Sequence, residues 1–275
     1  MKTLRISAIQ MNSGEDVAAN LTRARRWLRS AAADGATLAV LPENFARMGK
    51  KESDKLALTE EDGAGPLQDF LAAEAARSGM WIVGGTIPLK SDDPKRPYAA
   101  ALVYDGSGKR AGRYDKVHLF DVRVPESEEA YRESRSTMHG AKPLVLETPW
   151  GSLGVAVCYD LRFPEMFRWM AQQGMDVLAL PAAFTYRTGA AHWEPLLRAR
   201  AIENLTYVAA AAQTGTHPGG RQTYGHTVLV DPWGAVLTDA GGRTGVITAT
   251  IDIQRLKKLR QQFPVLEHRR FKAPA

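Results

Sequence analysis

Residues 153–165 read LGVAVCYDLRFPE, an apolar run that ends on Cys158, then a polar turn and a Pro-Glu pair of the kind that opens a helix. The run predicts a strand over Leu153 to Cys158. Glu165 to Gln173 is predicted as a helix behind it, and Asp176 to Pro181 as a returning strand. The two apolar runs suit strands buried on both faces. Residues 153–181 therefore read as one β-α-β unit, with Cys158 at the carboxyl end of its first strand, where ligands bind in open α/β sheets.

Residues 4–41 repeat the arrangement. Leu4 to Gln10 reads as a strand, and Val17, Leu21, Ala24, Leu28 and Ala31 recur at helical spacing. Asp34-Gly35 stops that helix, and Thr37 to Leu41 is another continuous apolar run. A second helix is predicted from Pro66 to Arg77, with Pro at its start and Gly79 just past its end. Met80 to Ile87 and Ala99 to Tyr104 are predicted strands, and Asp105-Gly106-Ser107-Gly108 turns the latter back. Leu144 to Glu147, Tyr207 to Gln213, Thr227 to Asp231, Ala235 to Thr238 and Val246 to Ile251 read as further strands. Trp193 to Asn204 reads as a helix, and Asp231-Pro232-Trp233-Gly234 as a hairpin turn. Residues 115–143 show no sustained period, and a loop of that length inside a domain is usually functional. No low-complexity linker divides the chain. The pattern predicts an α/β fold in one domain over 1–275, two packed sheets covered by helices in a four-layer α-β-β-α sandwich.

The chain has 275 residues, 44% apolar and 24% charged, ordinary values for a soluble domain. A single cysteine excludes an internal disulfide and fits a reducing compartment. The N-terminal MKTLRISAIQMN alternates apolar and polar residues, so it reads as a strand, not a signal peptide. The longest apolar run, Val177 to Phe184, is far short of the ~20 residues of a membrane span. A soluble, cytoplasmic protein without a membrane partner is expected. Net charge is +6 with a pI near 9.4, but the basic residues are scattered over helix-like segments at 23–29 and 257–260 and near the end. No aromatic-interleaved basic stretch accompanies them, so nucleic acid is not an expected partner. A mild preference for acidic small substrates is.

Three residues stand where chemistry could occur. Cys158 is either a nucleophile in a strand-end crevice, with neighbouring N–H groups aimed at what it attacks, or a buried structural cysteine. Glu43 follows the apolar Leu38-Ala39-Val40-Leu41-Pro42; buried there it would suit a general base, exposed it would be an ordinary loop carboxylate. Lys116, in Tyr114-Asp115-Lys116-Val117-His118-Leu119-Phe120, is either a fixed inward charge or a surface lysine, and His118 beside it a ligand or a core residue. Together they make a working set. A free thiol has a pKa near 8.5, so only a few per cent is thiolate at neutrality, and attack needs a base for the proton and a cation for the oxyanion.

Leu41-Pro42-Glu43-Asn44, Tyr114 to Phe120 and Gly154 to Glu165 resemble, in order, the three motifs of the nitrilase superfamily. The likeness continues through Ala190-Ala191-His192-Trp193-Glu194 and Arg198-Ala199-Arg200-Ala201-Ile202-Glu203 to Asp231-Pro232-Trp233-Gly234, nearly the whole chain. These later segments are most similar to Nit-type amidases that act on deaminated glutathione, and less so to ω-amidases. The resemblance implies the same sandwich and a homodimer or larger assembly; no cofactor or metal is expected. It also implies Glu43 as base, Lys116 as oxyanion donor and Cys158 as nucleophile. Glu133 resembles a second family glutamate that holds the lysine and positions substrate; otherwise it is a solvated loop carboxylate near Glu126, Glu128 and Glu129.

The expected reaction is cleavage of a small, carboxylate-bearing amide. Glu43 takes the thiol proton, Lys116 and the Tyr159 N–H hold the oxyanion, and Glu43 returns the proton to departing ammonia. Arg162, four residues past the nucleophile, is placed to clamp a substrate carboxylate or to pair with Asp160 or Glu165. Phe184 and Thr188 are candidates to line the pocket. Rival readings are an ω-amidase acting on α-ketoglutaramate, a Cys–His hydrolase with His192 or His226 as base, a metal-dependent phosphoesterase with Glu43 as ligand, and a silent interaction protein. No paired His or Asp stands at ligand spacing, and no P-loop, dinucleotide or G-x-S-x-G fingerprint is present.

Overall fold

Strand periodicity separates two cores. Leu38 and Val40 join the seam between two sheets, while Ala39 and Leu41 turn the other way onto helices, as alternation along a strand requires. The computed structural model describes residues 3–125 and 128–271. The first sheet has seven strands, with Gly245–Asp252, Thr3–Gln10, Leu38–Val40, Trp81–Val83, Tyr98–Tyr104 and Ile87–Leu89 in spatial order and Arg110–Asp115 also paired to Tyr98–Tyr104. The second has six, in the order Val236–Asp239, Val228–Val230, Tyr207–Ala212, Val177–Ala182, Gly151–Val155 and Leu144–Thr148. Parallel pairings of Thr3–Gln10 with Leu38–Val40 and of Gly151–Val155 with Val177–Ala182 realise the two β-α-β units.

Helices α1 (Val17–Ala33) and α2 (Pro66–Ser78) cover the outer face of the first sheet; Ala24, Leu28, Ala31, Leu67, Leu71 and Ala75 lie in that core. The Asp16 side chain caps α1 by accepting from the Ala19 N–H at 3.0 Å. Pro66 opens α2, and Gly79 closes it in the left-handed conformation at φ 68°. Helices α3 (Pro164–Gln172) and α4 (Tyr186–Asn204) cover the second sheet through Phe167, Met170, Trp193, Leu197 and Ala201. Helix α5 (Ile253–Gln262) ends the order, capped by Asp252. Each fully buried Leu or Val in these layers contributes about 1.5–3 kcal/mol. The result is the four-layer α-β-β-α sandwich. Among the described residues, no helix is long and apolar enough to cross a membrane.

Several local expectations are corrected by the structure. The strand expected over 80–87 breaks at Gly84-Gly85 into Trp81–Val83 and Ile87–Leu89. Helix α4 begins at Tyr186, seven residues before Trp193, and carries Pro195 inside it. The stretch 115–143 contains a small antiparallel pair, Asp121–Arg123 with Ala130–Arg132, followed by a 3-10 turn at Glu133–Arg135. Glu126 lies outside the described residues.

Candidate active site

Glu43 enters from the first sheet. Strand Leu38–Val40 runs out through Leu41-Pro42 into a turn in which Asn44 has φ 55°. Gly85, at φ 60°, packs against that turn so closely that a Cβ there would lie 2.1 Å from the Pro42 carbonyl oxygen. Only glycine meets both conditions, which is why the chain breaks its strand here. The Gln213 side chain donates to the Glu43 carbonyl at 3.0 Å, and Thr86 Oγ1 accepts from the Asn44 N–H at 2.9 Å. The carboxylate is thus carried on a fixed backbone and is 3% exposed.

Lys116 follows strand Arg110–Asp115 of the same sheet, its N–H donating to the Ala99 carbonyl at 3.0 Å. The ammonium is buried and donates to Glu43 Oε1 at 2.8 Å and to Glu133 Oε1 and Oε2 at 3.0 and 2.9 Å. Glu133 Oε2 also accepts from the Phe120 N–H at 2.7 Å. Burial alone would lower the lysine pKa, but the charges of Glu133 and Glu43 outweigh it and hold the ammonium well above its usual range. Burial raises the Glu133 carboxyl, and Lys116, then Lys55, reverse that to leave it below its ordinary 4.5. A depressed carboxyl stabilises the fold above its unfolded pKa and loses that contribution as pH falls through the lower folded value. Acid unfolding followed by circular dichroism should therefore show a loss of stability beginning below about pH 4.5, smaller in Glu133→Gln; an identical acid limb in both proteins would exclude this role.

Cys158 enters from the second sheet, beyond strand Gly151–Val155, as the first residue of a 3-10 turn over Cys158–Arg162. The expected strand to residue 158 therefore ends early. Cys158 sits at φ 48°, a left-handed conformation that costs a non-glycine residue about 1–3 kcal/mol and persists only when its surroundings impose it. Asp160 supplies that constraint. Fully buried, it accepts from the Val157 N–H at 2.8 Å, the Tyr114 hydroxyl at 2.6 Å and the His118 N–H at 3.0 Å, and His118 Nδ1 lies 2.7 Å away. One carboxylate thereby ties the cysteine turn to the lysine loop. Arg200 holds the turn's far end, donating to the Leu161 carbonyl at 3.1 and 2.8 Å. Asp160 was missed as a functional candidate; the available signal was a carboxylate two residues past the cysteine between apolar neighbours, too costly to bury unpaired. Asp160→Asn keeps the shape but loses acceptor capacity, so steady-state kinetics should show kcat falling roughly 10–100-fold with KM nearly unchanged. An unchanged kcat would refute the positioning role.

The thiol is 7% exposed. Burial pushes its pKa well above that of a free thiol; the Glu43 charge adds to the rise, while Lys116 and the Ala183 N–H oppose it. Cys158 and Glu43 line the same cleft, so at neutrality the thiol is protonated with a carboxylate beside it. The Tyr159 N–H is one of the amides that a helix start leaves without an intrahelical partner. Glu43, Lys116 and Tyr159 line one cleft with the sulfur, a set of groups that can form and resolve an acyl-thiol.

The cleft around the sulfur is lined by Glu43, Lys116, Glu133, Tyr159, Phe184 and Thr188 among others. Arg162 is not among the lining residues. Its guanidinium lies 5.3 Å from the Phe184 ring centroid and 5.9 Å from that of Tyr159, with Nη1 3.2 Å from His192 Nδ1. It pairs with neither Asp160 nor Glu165. His226 stacks on Tyr224 at 4.3 Å and bonds Asp239 at 3.0 Å, and neither it nor His192 lines the cleft. His118 stacks on Phe163 at 3.7 Å. Arg221, Tyr131 and Glu52 do line the cleft, and none was singled out from sequence. Arg221 lies within Pro-Gly-Gly-Arg, which reads locally as loop.

The sequence model for carbon-nitrogen hydrolases matches residues 5–261. A deaminated glutathione amidase of Synechocystis is 43% identical, covering 98% of this chain and all of that protein. The mouse omega-amidase NIT2 is 36% identical over 98% of this chain and 96% of its own. The crystal structure of the C. elegans NitFhit protein superposes with a TM-score of 0.89 at 36% identity over 98% of this chain; this chain spans 65% of that longer protein.

Proposed function

The chain belongs to the carbon–nitrogen hydrolase family and is an amidase, and from that premise we propose that Cys158, Glu43 and Lys116 cleave a small amide bearing a carboxylate, with deaminated glutathione as the substrate. The observation that carries this reading is one buried ammonium 2.8 Å from the Glu43 carboxylate, in a cleft that both residues line together with Cys158. Glu43 takes the thiol proton as sulfur attacks the carbonyl carbon. The oxyanion is held by Lys116 Nζ and the Tyr159 N–H. On collapse the C–N bond breaks and Glu43 hands its proton to the leaving nitrogen: ammonia from a primary amide, a dipeptide amine from deaminated glutathione. Water then attacks the thioester, gives its proton to Glu43, and the acid departs as the thiol is restored. Glu133 fixes the lysine, and Phe184 and Thr188 hold the acyl chain. Arg162 acts through its aromatic neighbours Phe184 and Tyr159, shaping the wall.

A panel assay of amine release tests the substrate, with deaminated glutathione, α-ketoglutaramate and simple amides compared by kcat/KM. Preference for deaminated glutathione supports the proposal. Preference for α-ketoglutaramate would replace it with the omega-amidase reading, which the 36% identity to NIT2 favours as runner-up. A lone thiol suits the cytoplasm. A homodimer is favoured by the exposed Ile202, Trp233 and Phe263, an apolar group with Trp233 and Phe263 rings 5.5 Å apart.

A further inference from the structure

Two glutamine side chains, Gln10 and Gln213, are sealed from solvent at 0% exposure. A buried amide costs stability unless its donors and its acceptor are paired, so the partners of each show what it holds in place. Gln10 ends strand Thr3–Gln10. Its Nε2 donates to the Gly241 and Arg243 carbonyls at 2.7 and 2.9 Å, and its Oε1 accepts from the Thr227 N–H at 2.7 Å. None of these partners lines the cleft. Gln213 follows strand Tyr207–Ala212 and is the first polar residue after four alanines. Its Nε2 donates to the Glu43 carbonyl at 3.0 Å and to Ser13 Oγ at 2.9 Å, and its Oε1 accepts from the Ser13 N–H at 3.0 Å. Ser13 Oγ in turn donates to the Phe45 carbonyl at 2.8 Å.

The backbone of Gln213 is bound to the nucleophile's side of the site. Its N–H donates to the Ala182 carbonyl at 3.0 Å, and the residues that follow, Ala183, Phe184 and Thr185, line the cleft with Cys158. Strand Val177–Ala182 also pairs with Gly151–Val155, the strand that leads to Cys158. One residue therefore reaches from the sulfur's sheet to the peptide that carries the carboxylate. Asn44, at φ 55°, makes that peptide a left-handed turn, which persists only while its surroundings impose it. The carbonyls of the two residues flanking Asn44 are the ones that Gln213 and Ser13 hold. Resting on Glu43 as the base, we propose that Gln213 is a positioning residue: its carboxamide sets where the Glu43 carboxylate stands relative to the Cys158 sulfur, while Gln10 only joins segments of the fold. Gln213 does not line the cleft, so it acts through Glu43.

Gln213→Met keeps the length of the side chain and removes all three hydrogen bonds. With the most active amide of the panel, kcat should fall roughly 10- to 100-fold, the effect of moving a catalytic group by about an ångström, with KM within about threefold of wild type. Gln10→Met removes as many bonds from an equally buried amide. Its melting temperature should fall too, but its kcat should stay within about twofold of wild type. Double variants separate position from general damage. In a Glu43→Asp background the carboxylate is already displaced, so adding Gln213→Met should lower kcat by less than about threefold, whereas effects unrelated to Glu43 would multiply. Ser13→Ala, which removes the Oγ link alone, should lower kcat by roughly 3- to 10-fold and decides the matter if Gln213→Met folds poorly. A wild-type kcat in Gln213→Met or in Ser13→Ala, an equal loss in Gln10→Met, or losses that multiply overturns the proposal. Glu43→Gln at wild-type turnover is a separate failure, since it removes the base and leaves Gln213 nothing to position. An inactive Glu43→Gln with any of the earlier outcomes removes the positioning role alone.

Discussion

Cys158→Ala is expected to lower amide turnover by roughly 10⁴- to 10⁶-fold, the scale seen when a covalent nucleophile is removed from a site whose other parts remain. The fold should tolerate the change. Only a sulfur is lost from a side chain 7% exposed, alanine is no worse than cysteine at φ 48°, and Asp160 and Arg200 still pin the turn. Stability should move by about 1 kcal/mol or less. Two measurements check this: amine release with the most active amide of the panel, and mass spectrometry of wild-type protein quenched during turnover. The second should find acyl mass on the peptide containing Cys158 and on no other. Residual activity within a hundredfold of wild type, or an adduct elsewhere, would remove the thiol from the mechanism.

Lys116→Met should cost less turnover but also stability, for two separable reasons. Loss of an oxyanion donor costs about 2.7–4 kcal/mol of transition-state stabilisation, or 10²- to 10³-fold in kcat. The same change leaves the Glu43 and Glu133 carboxylates buried without the ammonium that bridges them at 2.8 and 2.9 Å. Breaking a buried pair from one side typically destabilises by about 3–5 kcal/mol, a fall in melting temperature on the order of 10 °C for a chain of this size. Lys116→Met with Glu133→Gln should recover much of that stability, because only one carboxylate remains, and none of the activity. Differential scanning calorimetry and steady-state kinetics on the single and double variants separate the two terms. Activity restored by the second change would mean that the lysine merely neutralises its neighbours.

Which of these features could be read from the chain alone follows from how local their causes are. The two β-α-β units, the caps of α1 and α2 and the hairpin at 231–234 are legible because each is signalled by residues within a few positions. The start of α4 is not. Gly189 and Pro195 read as breakers, yet a Cβ at Gly189 would lie 2.3 Å from Tyr224 Cβ, so that glycine serves packing between distant segments. The break at Gly84-Gly85 is likewise set by the Pro42 turn some forty residues away. In the site, Glu43 and Cys158 each end an apolar run, Lys116 is singled out by the 114–120 stretch that resembles a family motif, and all three line one cleft. Asp160 owes its importance to partners at 114, 118 and 157, a convergence no single window contains. Arg162, four residues past Cys158, rests against the rings of Phe184 and Tyr159, which line the cleft, a placement that depends on partners from two segments.

Glu43 and Lys116 hang from one sheet and Cys158 from the other. Reactivity is therefore a gauge of how well two slabs are seated on each other. A partly loosened form could retain every strand, every helix and a normal far-ultraviolet spectrum, and still turn nothing over, because sliding one slab by an ångström or two separates acid, base and sulfur. Mild heat or denaturant should silence the enzyme before its secondary structure melts.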